Sequence, residues 1–474
     1  MRGLWKYLFG LLVLGVVVVF YFLKTDLGYQ NLKYFIGNYL SKETFNKIEV
    51  RSISFKKYPY LTMELQVNET ATVTLKGEIS KYDINMYYHL KGETFRFNNF
   101  SLDNRVDVQG KLIGPFSSLL VRGYGDVFNG KVKYNFINTP KKIKTMNIEM
   151  TKVESEKVLN FLEQKPLVKG ILDLDAQFNI FSTYEKEGRT KIYMDKASIP
   201  EVSNKVFFVL NSLIEFEDMD YRYEGNLSST IGDLSIENGH YYRSKKIANA
   251  QYTIEVKDLS FFEKSLKNRY QDVLKLNGTL FYDYYSGLFI LKGRTSQFGG
   301  ELSYIYKKNS IDVKFNAVSL EALLKSFSYP VFFTSKIDGT MNLSLEEKIL
   351  LINTELHETH FKRSEFTDMI YNKLKIDILK GNYNQSFFLA GYKNHLLSST
   401  LKIDNGINHL YLIDSKLNIL NNIIDTKFDI KLEKKEFYGK IQGTLENPKV
   451  WIDKSKLFTH ETRNKLNSWL RKRE

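Results

Sequence analysis

From about residue 50 the chain alternates apolar and polar positions with a period of two. Leu172, Leu174, Ala176 and Phe178 alternate with Asp173, Asp175 and Gln177, and Phe428, Ile430 and Leu432 alternate with Asp429, Lys431 and Glu433. Successive side chains of a strand point to opposite faces, so each segment has one apolar and one wet face. Asn129-Gly130, Asn277-Gly278, Gly299-Gly300, Asp338-Gly339 and Asn405-Gly406 punctuate the runs and read as hairpin turns. The pattern predicts a mainly β body over residues 51–455, with roughly 25 to 35 strands at ordinary strand and loop lengths. An open twisted sheet of that size must curl or divide. Because no linker rich in Pro or Gly interrupts it, the expected fold is one elongated antiparallel β-sheet curled lengthwise into a groove, apolar faces inward.

The ends of the chain carry other patterns. Tyr7 to Leu23 is uncharged and apolar, and at about 1.5 Å per residue, with Lys6 snorkelling outward, it crosses most of a ~30 Å hydrocarbon core. Residues 7–23 are therefore expected to be a transmembrane anchor, with Trp5, Tyr7 and Tyr21 at the interfaces. Arg2 and Lys6 place residues 1–6 in the cytoplasm and the body outside, against a weaker opposing vote from Lys24 and Lys33. A cleaved signal peptide would need a small-x-small site, where this chain reads Tyr21-Phe22-Leu23-Lys24-Thr25-Asp26.

Within residues 24–50, Leu32, Phe35, Ile36, Tyr39 and Leu40 form a stripe at helical spacing, a juxtamembrane amphipathic helix that lies on the membrane or caps the body. Residues 456–474 set Phe458, Leu466, Trp469 and Leu470 against Arg463, Lys465, Arg471, Lys472 and Arg473. That is a basic amphipathic helix, suited to an anionic interface or to covering the edge of the last strand.

A repeat underlies the strands. A short helical stretch leads three times to a glycine that opens an alternating strand: Val158-Leu159-Leu162 before Gly170, Leu259-Phe262-Leu266 before Gly278, and Leu320-Leu323-Leu324-Phe327 before Gly339. The spacing is uneven, so a sheet growing by related hairpins fits better than a regular solenoid.

Composition narrows the chemistry. The chain has 43% hydrophobic residues, 14% aromatic residues and no cysteine, so its stability rests on burial and backbone pairing rather than disulfides or thiolate metal sites. A net charge of +14 suits anionic head groups behind a membrane helix better than nucleic acid, or else the lysines solvate strand faces. His357-Glu358-Thr359-His360 has the wrong spacing for a zinc motif and reads as a solvated loop or helix start. Asp173 with Asp175, and Asp218 with Asp220, are carboxylate pairs of the kind a wet strand face produces. Gly123-Tyr124-Gly125 lacks the third glycine of a nucleotide site. No enzyme, metal or cofactor is expected.

The N-terminal anchor, the short helix, the Leu-Leu helices before Gly-strand units and the closing Gly443-Thr444-Leu445-Glu446-Asn447-Pro448-Lys449-Val450 together resemble the AsmA-like family. Members are anchored in the inner membrane of Gram-negative bacteria. The resemblance implies a periplasmic β-groove that carries phospholipids toward the outer membrane and serves envelope homeostasis. It implies as an alternative an assembly factor for outer-membrane proteins, working through a β-barrel partner. The expected partners are phospholipids and the inner membrane, with such a barrel as a further one and no nucleic acid. The strands' apolar faces offer Leu172, Leu174, Phe178, Leu280, Tyr282, Leu302, Tyr304, Leu343 and Leu345 as groove-lining residues, unless they form an ordinary dry core.

Overall fold

The computed structural model describes residues 25–453 except 45, 58, 94, 98–99, 103–104, 183, 201–202, 219, 259–272, 328–330, 365–366, 369–370, 373–374, 434 and 445–446. The predicted anchor with Trp5, Tyr7 and Tyr21, the middle helical stretch at Leu259-Phe262-Leu266, and the C-terminal helix from Phe458 to Arg473 lie outside the described residues. Among the described residues no helix is long and apolar enough to cross a membrane. They contain 28 strands, so the protein is mainly β. The chain divides into two compact units, Met1–Thr230 with Ser235–Lys245, and Ile231–Leu234 with Lys246–Glu474.

The first unit is an open antiparallel ladder from Ile48–Lys57 to Asp220–Ser229, each long strand pairing with the next long strand in sequence. The small hairpin Phe95–Phe97 with Phe100–Leu102 pairs only with itself, and the ladder continues past it from Asp83–Gly92 to Val106–Pro115. The second unit repeats this simple order from Ile247–Val256 to Asn447–Asp453.

Helix α1 (Asp26–Thr44) lies along the free side of the first strand. The Tyr29 hydroxyl donates to the Ile53 carbonyl at 2.6 Å and accepts from the Ile53 N–H at 2.9 Å. Lys33 Nζ donates to the Arg51 carbonyl at 2.8 Å, and Ser41 Oγ accepts from the Ile48 N–H at 2.8 Å. These side chains take the place of a neighbouring strand and satisfy an edge that would otherwise invite pairing. Tyr29, Ile36 and Leu40 pack onto a core of Val50, Ile53, Leu61 and Leu65. The predicted stripe is thus split: Ile36 and Leu40 face the sheet, whereas Phe35 and Tyr39 are exposed.

Each unit contains the same module, one within residues 83–199 and the other within 247–361. In the first, Tyr88, Gly110, Gly123 and Tyr134 stand opposite one another across four strands. In the second, Tyr252, Gly278, Gly293 and Tyr304 do the same. Farther on, Val153 and Val318, both fully buried, follow a one-residue backbone excursion at Lys152 and Ala317, whose φ values are +54° and +51°. The Asp173 carboxylate accepts from the Lys152 N–H at 2.6 Å, and the Asp338 carboxylate from the Ala317 N–H at 2.9 Å. The Glu154 N–H donates to the Phe128 carbonyl, and the Ser319 N–H to the Phe298 carbonyl. A short helix follows each time, α2 (Ser155–Phe161) and α3 (Leu320–Ser326). The cores match residue by residue: Phe128, Val153, Leu172 and Met194 in one, Phe298, Val318, Ile337 and Leu356 in the other. A second excursion, at Lys196 and Glu358, closes both modules.

This repeat differs from the one read along the sequence. Helical stretches precede strands at α2 and α3 as expected, but Gly339 lies inside the strand Phe333–Ser344 rather than at its start. Gly170 corresponds to Ser335, not to another glycine, since each sits beside the second excursion, against Ala197 and Thr359 respectively. Two of the five turn signals also fall inside strands, Asn277-Gly278 in Leu274–Asp283 and Asp338-Gly339 in Phe333–Ser344. At the first of these glycines, a Cβ would lie 2.5 Å from the Tyr252 hydroxyl and 1.9 Å from the Lys292 carbonyl oxygen. The residue is glycine because a ladder carbonyl and the end of a tyrosine leave no room for a side chain, not because the chain turns there.

Because the Lys292 carbonyl belongs to the ladder and cannot swing away, Gly278→Ala is expected to destabilise the protein by about 1–3 kcal/mol. Gly391→Ala, whose Cβ would meet nothing nearer than 3.6 Å, is expected to change denaturant midpoints little; equal midpoints for both variants would remove the close-approach explanation.

Candidate functional site

Register sorts the side chains of each ladder into two faces. In the first unit Ile53, Met63, Leu75, Tyr88, Gly110, Gly123, Tyr134, Ile148, Ala176, Thr190, Ile214 and Tyr223 form one continuous row. One residue along, on the other face, the row reads Ser54, Thr62, Lys76, Tyr87, Lys111, Arg122, Asn135, Asn147, Gln177, Arg189, Glu215 and Arg222. The second unit carries Ala250, Leu280, Leu291, Tyr306, Ile311, Leu343, Leu350, Tyr392, Leu397, Leu417 and Ile424 as an apolar row.

The apolar rows are only partly covered. Met63, Leu75, Ile148 and Ile214 in one unit, and every residue from Leu280 to Ile424 in the row just named, are half-buried rather than buried. The short helices α1, α2 and α3 cover only parts of these faces. A two-layer domain would have buried them.

Of the nine predicted lining residues, eight share the apolar faces. Leu174, Leu280, Tyr282, Leu302, Tyr304 and Leu343 are half-buried there. Leu172 and Phe178 are buried in local clusters, the first with Val153 and Met194, the second with Met146 and Ala176. Leu345 instead lies in the turn after Phe333–Ser344 and is exposed, since the strand ends one residue before it.

What the sequence reading missed on this face is the pair of tyrosine bridges. Tyr88 and Tyr134 lean toward each other over Gly110 and Gly123 and join through their hydroxyls. Tyr252 and Tyr304 do so over Gly278 and Gly293 at 2.6 Å, with the Tyr252 hydroxyl also 3.0 Å from the Lys292 carbonyl. Burial, reinforced by the partner hydroxyl, pushes the Tyr134 and Tyr252 phenols well above their ordinary range, so both remain neutral donors at any physiological pH. A glycine placed two strands from a tyrosine at equal register would have been the signal, visible only once strands are paired.

The polar face carries three broad concavities of about 1130, 550 and 800 Å³. Charges of both signs line them, such as Lys111, Arg122, Glu149 and Asp175 in the largest and Lys416, Asp425 and Lys440 in the third. A cluster of ionisable side chains lies in the second unit. The Tyr411 hydroxyl donates to Asp404, which also accepts from the Gly406 N–H at 2.6 Å and pairs with Lys402 at 3.2 Å. Beside it, His409 Nε2 and Asp429 Oδ1 face each other at 3.2 Å without hydrogen-bond alignment.

The other sequence candidates are dispersed. His357-Glu358-Thr359-His360 is neither loop nor helix but lies in the strand Ile349–Phe361, at the second excursion. His357 approaches Asp338 at 3.4 Å, whereas His360 Nδ1 is 3.1 Å from the Gly381 carbonyl. Asp173 caps the first excursion, Asp175 accepts from Gln177, and Asp220 accepts from the Arg243 N–H. No cluster of three His, Asp or Glu residues among the described residues is placed to hold a metal ion. Compared with protein families, with curated proteins and with solved structures, the chain matches none.

Asp338→Ala removes the acceptor that holds Ala317 in its left-handed conformation, and is expected to cost about 1–3 kcal/mol in urea denaturation. Burial pushes the Asp404 carboxyl up, but Tyr411, Gly406 and Lys402 outweigh it and hold the group below the usual carboxylate range. A carboxylate depressed by folding contributes stability above the unfolded-state range and loses it as pH falls through the folded value. Melting curves below about pH 5 should therefore fall more steeply for the wild type than for Asp404→Asn; parallel curves would assign the acid sensitivity elsewhere.

Proposed function

We propose that the two apolar faces serve as an open track for phospholipid acyl chains, on a protein anchored in a bacterial inner membrane by residues 7–23 with its body in the periplasm. The observation that carries this reading is the run of half-buried apolar residues from Leu280 to Ile424 across ten successive strands of the second unit, with Met63, Leu75, Ile148 and Ile214 half-buried along one face of the first. An acyl chain loses about 0.8 kcal/mol per CH₂ when it leaves an apolar surrounding for water. Passage along such a row from strand to strand lessens that penalty, while head groups remain in solvent. The resemblance to AsmA-like proteins supports the same direction, toward outer-membrane lipid supply.

A second reading, an assembly factor for outer-membrane β-barrels, is favoured by the last described strand, Asn447–Asp453. It pairs on one side with Lys435–Thr444 and leaves Val450, Trp451 and Ile452 exposed. A strand edge of that kind can extend another sheet.

Mass spectrometry of residues 24–474, exported without the anchor and purified without detergent, separates the two. Co-purifying phospholipid is expected, and is expected to be lost when Leu280, Leu343 and Leu397 are each changed to Asp in protein with an unchanged circular dichroism spectrum. A folded, lipid-free body that brings down a β-barrel protein would sink the track and favour assembly.

A further inference from the structure

Helix α1 has a second face that its packing on the sheet leaves unused. Leu27, Tyr34, Phe35 and Tyr39 are 67, 72, 69 and 58% exposed, and Asn38 and Lys42 stand among them. All six are exposed, whereas Tyr29, Ile36 and Leu40 pack on the first strand. Large aromatic side chains mixed with an amide and an ammonium are out of place in a dry protein interface. They match the headgroup layer of a bilayer, where rings meet both hydrocarbon and water and a lysine meets anionic lipid.

Chain length points to the same occupant. The apolar run ends at Leu23 and α1 begins at Asp26, and three residues reach no more than about 11 Å even when fully extended. With residues 7–23 in a membrane, α1 has to start beside its surface.

We infer that α1 lies in the headgroup layer of the anchoring membrane, its outward face in lipid and its inward face on the strand Ile48–Lys57. The contact sets the first strands of the apolar row beside the bilayer, with Ile53 covered by α1 and the half-buried Met63 and Leu75 next along it. This inference rests on the anchor proposed above and adds the surface that turns an anchor into a loading point.

The absence of cysteine makes the test clean. Phe35→Cys, Tyr39→Cys and, as an aqueous reference, Tyr184→Cys, 84% exposed in the same unit, are each labelled with a nitroxide. The full-length chain is then incorporated into vesicles of phosphatidylethanolamine and phosphatidylglycerol. Collision with a water-soluble nickel chelate is expected to be at least about fivefold lower at positions 35 and 39 than at 184, corresponding to a depth of about 5–10 Å. Tyr34→Cys gives the same reading should either helix variant melt early. Equal collision rates at all positions, in protein that floats with the vesicles, overturn the α1 contact alone. Protein that fails to float with them overturns the anchor, and the contact with it.

Discussion

The fold depends on register. In a single antiparallel ladder each strand's side chains alternate between faces, so a slip of one residue at any pair would turn an apolar row into solvent from that strand onward. Twelve successive positions from Ile53 to Tyr223 keep to one face without a slip. Where an extra residue does intrude, at Lys152 and again at Ala317, an aspartate on the next strand caps the displaced N–H, and the valine that follows returns to the core. The excursions are thus local, and the faces resume beyond them.

A sheet whose apolar face is half-buried over many strands has little core to spend on this. Its larger buried clusters gather where α1, α2 and α3 cover a strand end, and smaller ones form around Met146, Ala176 and Phe178 and where Ile376 and Ile378 meet Leu432. The tyrosine bridges compensate in part. The hydroxyl end of each tyrosine reaches over a glycine on the neighbouring strand, and the joined hydroxyls tie four strands together. That both units use the same bridge, the same capped excursion and the same following helix describes one module employed twice. The ends of a ladder are its other weakness. At the first strand, Tyr29, Lys33 and Ser41 of α1 occupy the hydrogen-bonding groups a neighbour would take.

The proposed track and the proposed membrane contact draw on the same asymmetry. An apolar face left half-buried over many strands is costly for a free protein and useful for one that handles lipid. The polar face, with lysines and carboxylates interspersed around its broad concavities, keeps such a body in solution.

Alternation determined that this protein is a β ladder and which side of each strand is apolar, and apolar residues at helical spacing determined that short helices precede the strands at Lys169–Phe181 and Phe333–Ser344. Those properties are local, written in the period of the side chains. Pairing was not local. Asn277-Gly278 and Asp338-Gly339 look like turns in the sequence because glycine is cheap in a turn; only the neighbouring strand reveals Tyr252 lying across the first and the excursion at Ala317 that Asp338 caps. The split of α1 into a sheet-facing and an outward side was equally hidden, since Phe35 and Ile36 are alike in hydrophobicity and differ only in what stands opposite them. The repeat was read along the sequence from its glycines, and tertiary structure reassigned it to the positions where strands meet, because the module is conserved in its contacts across the ladder rather than in the order of its residues.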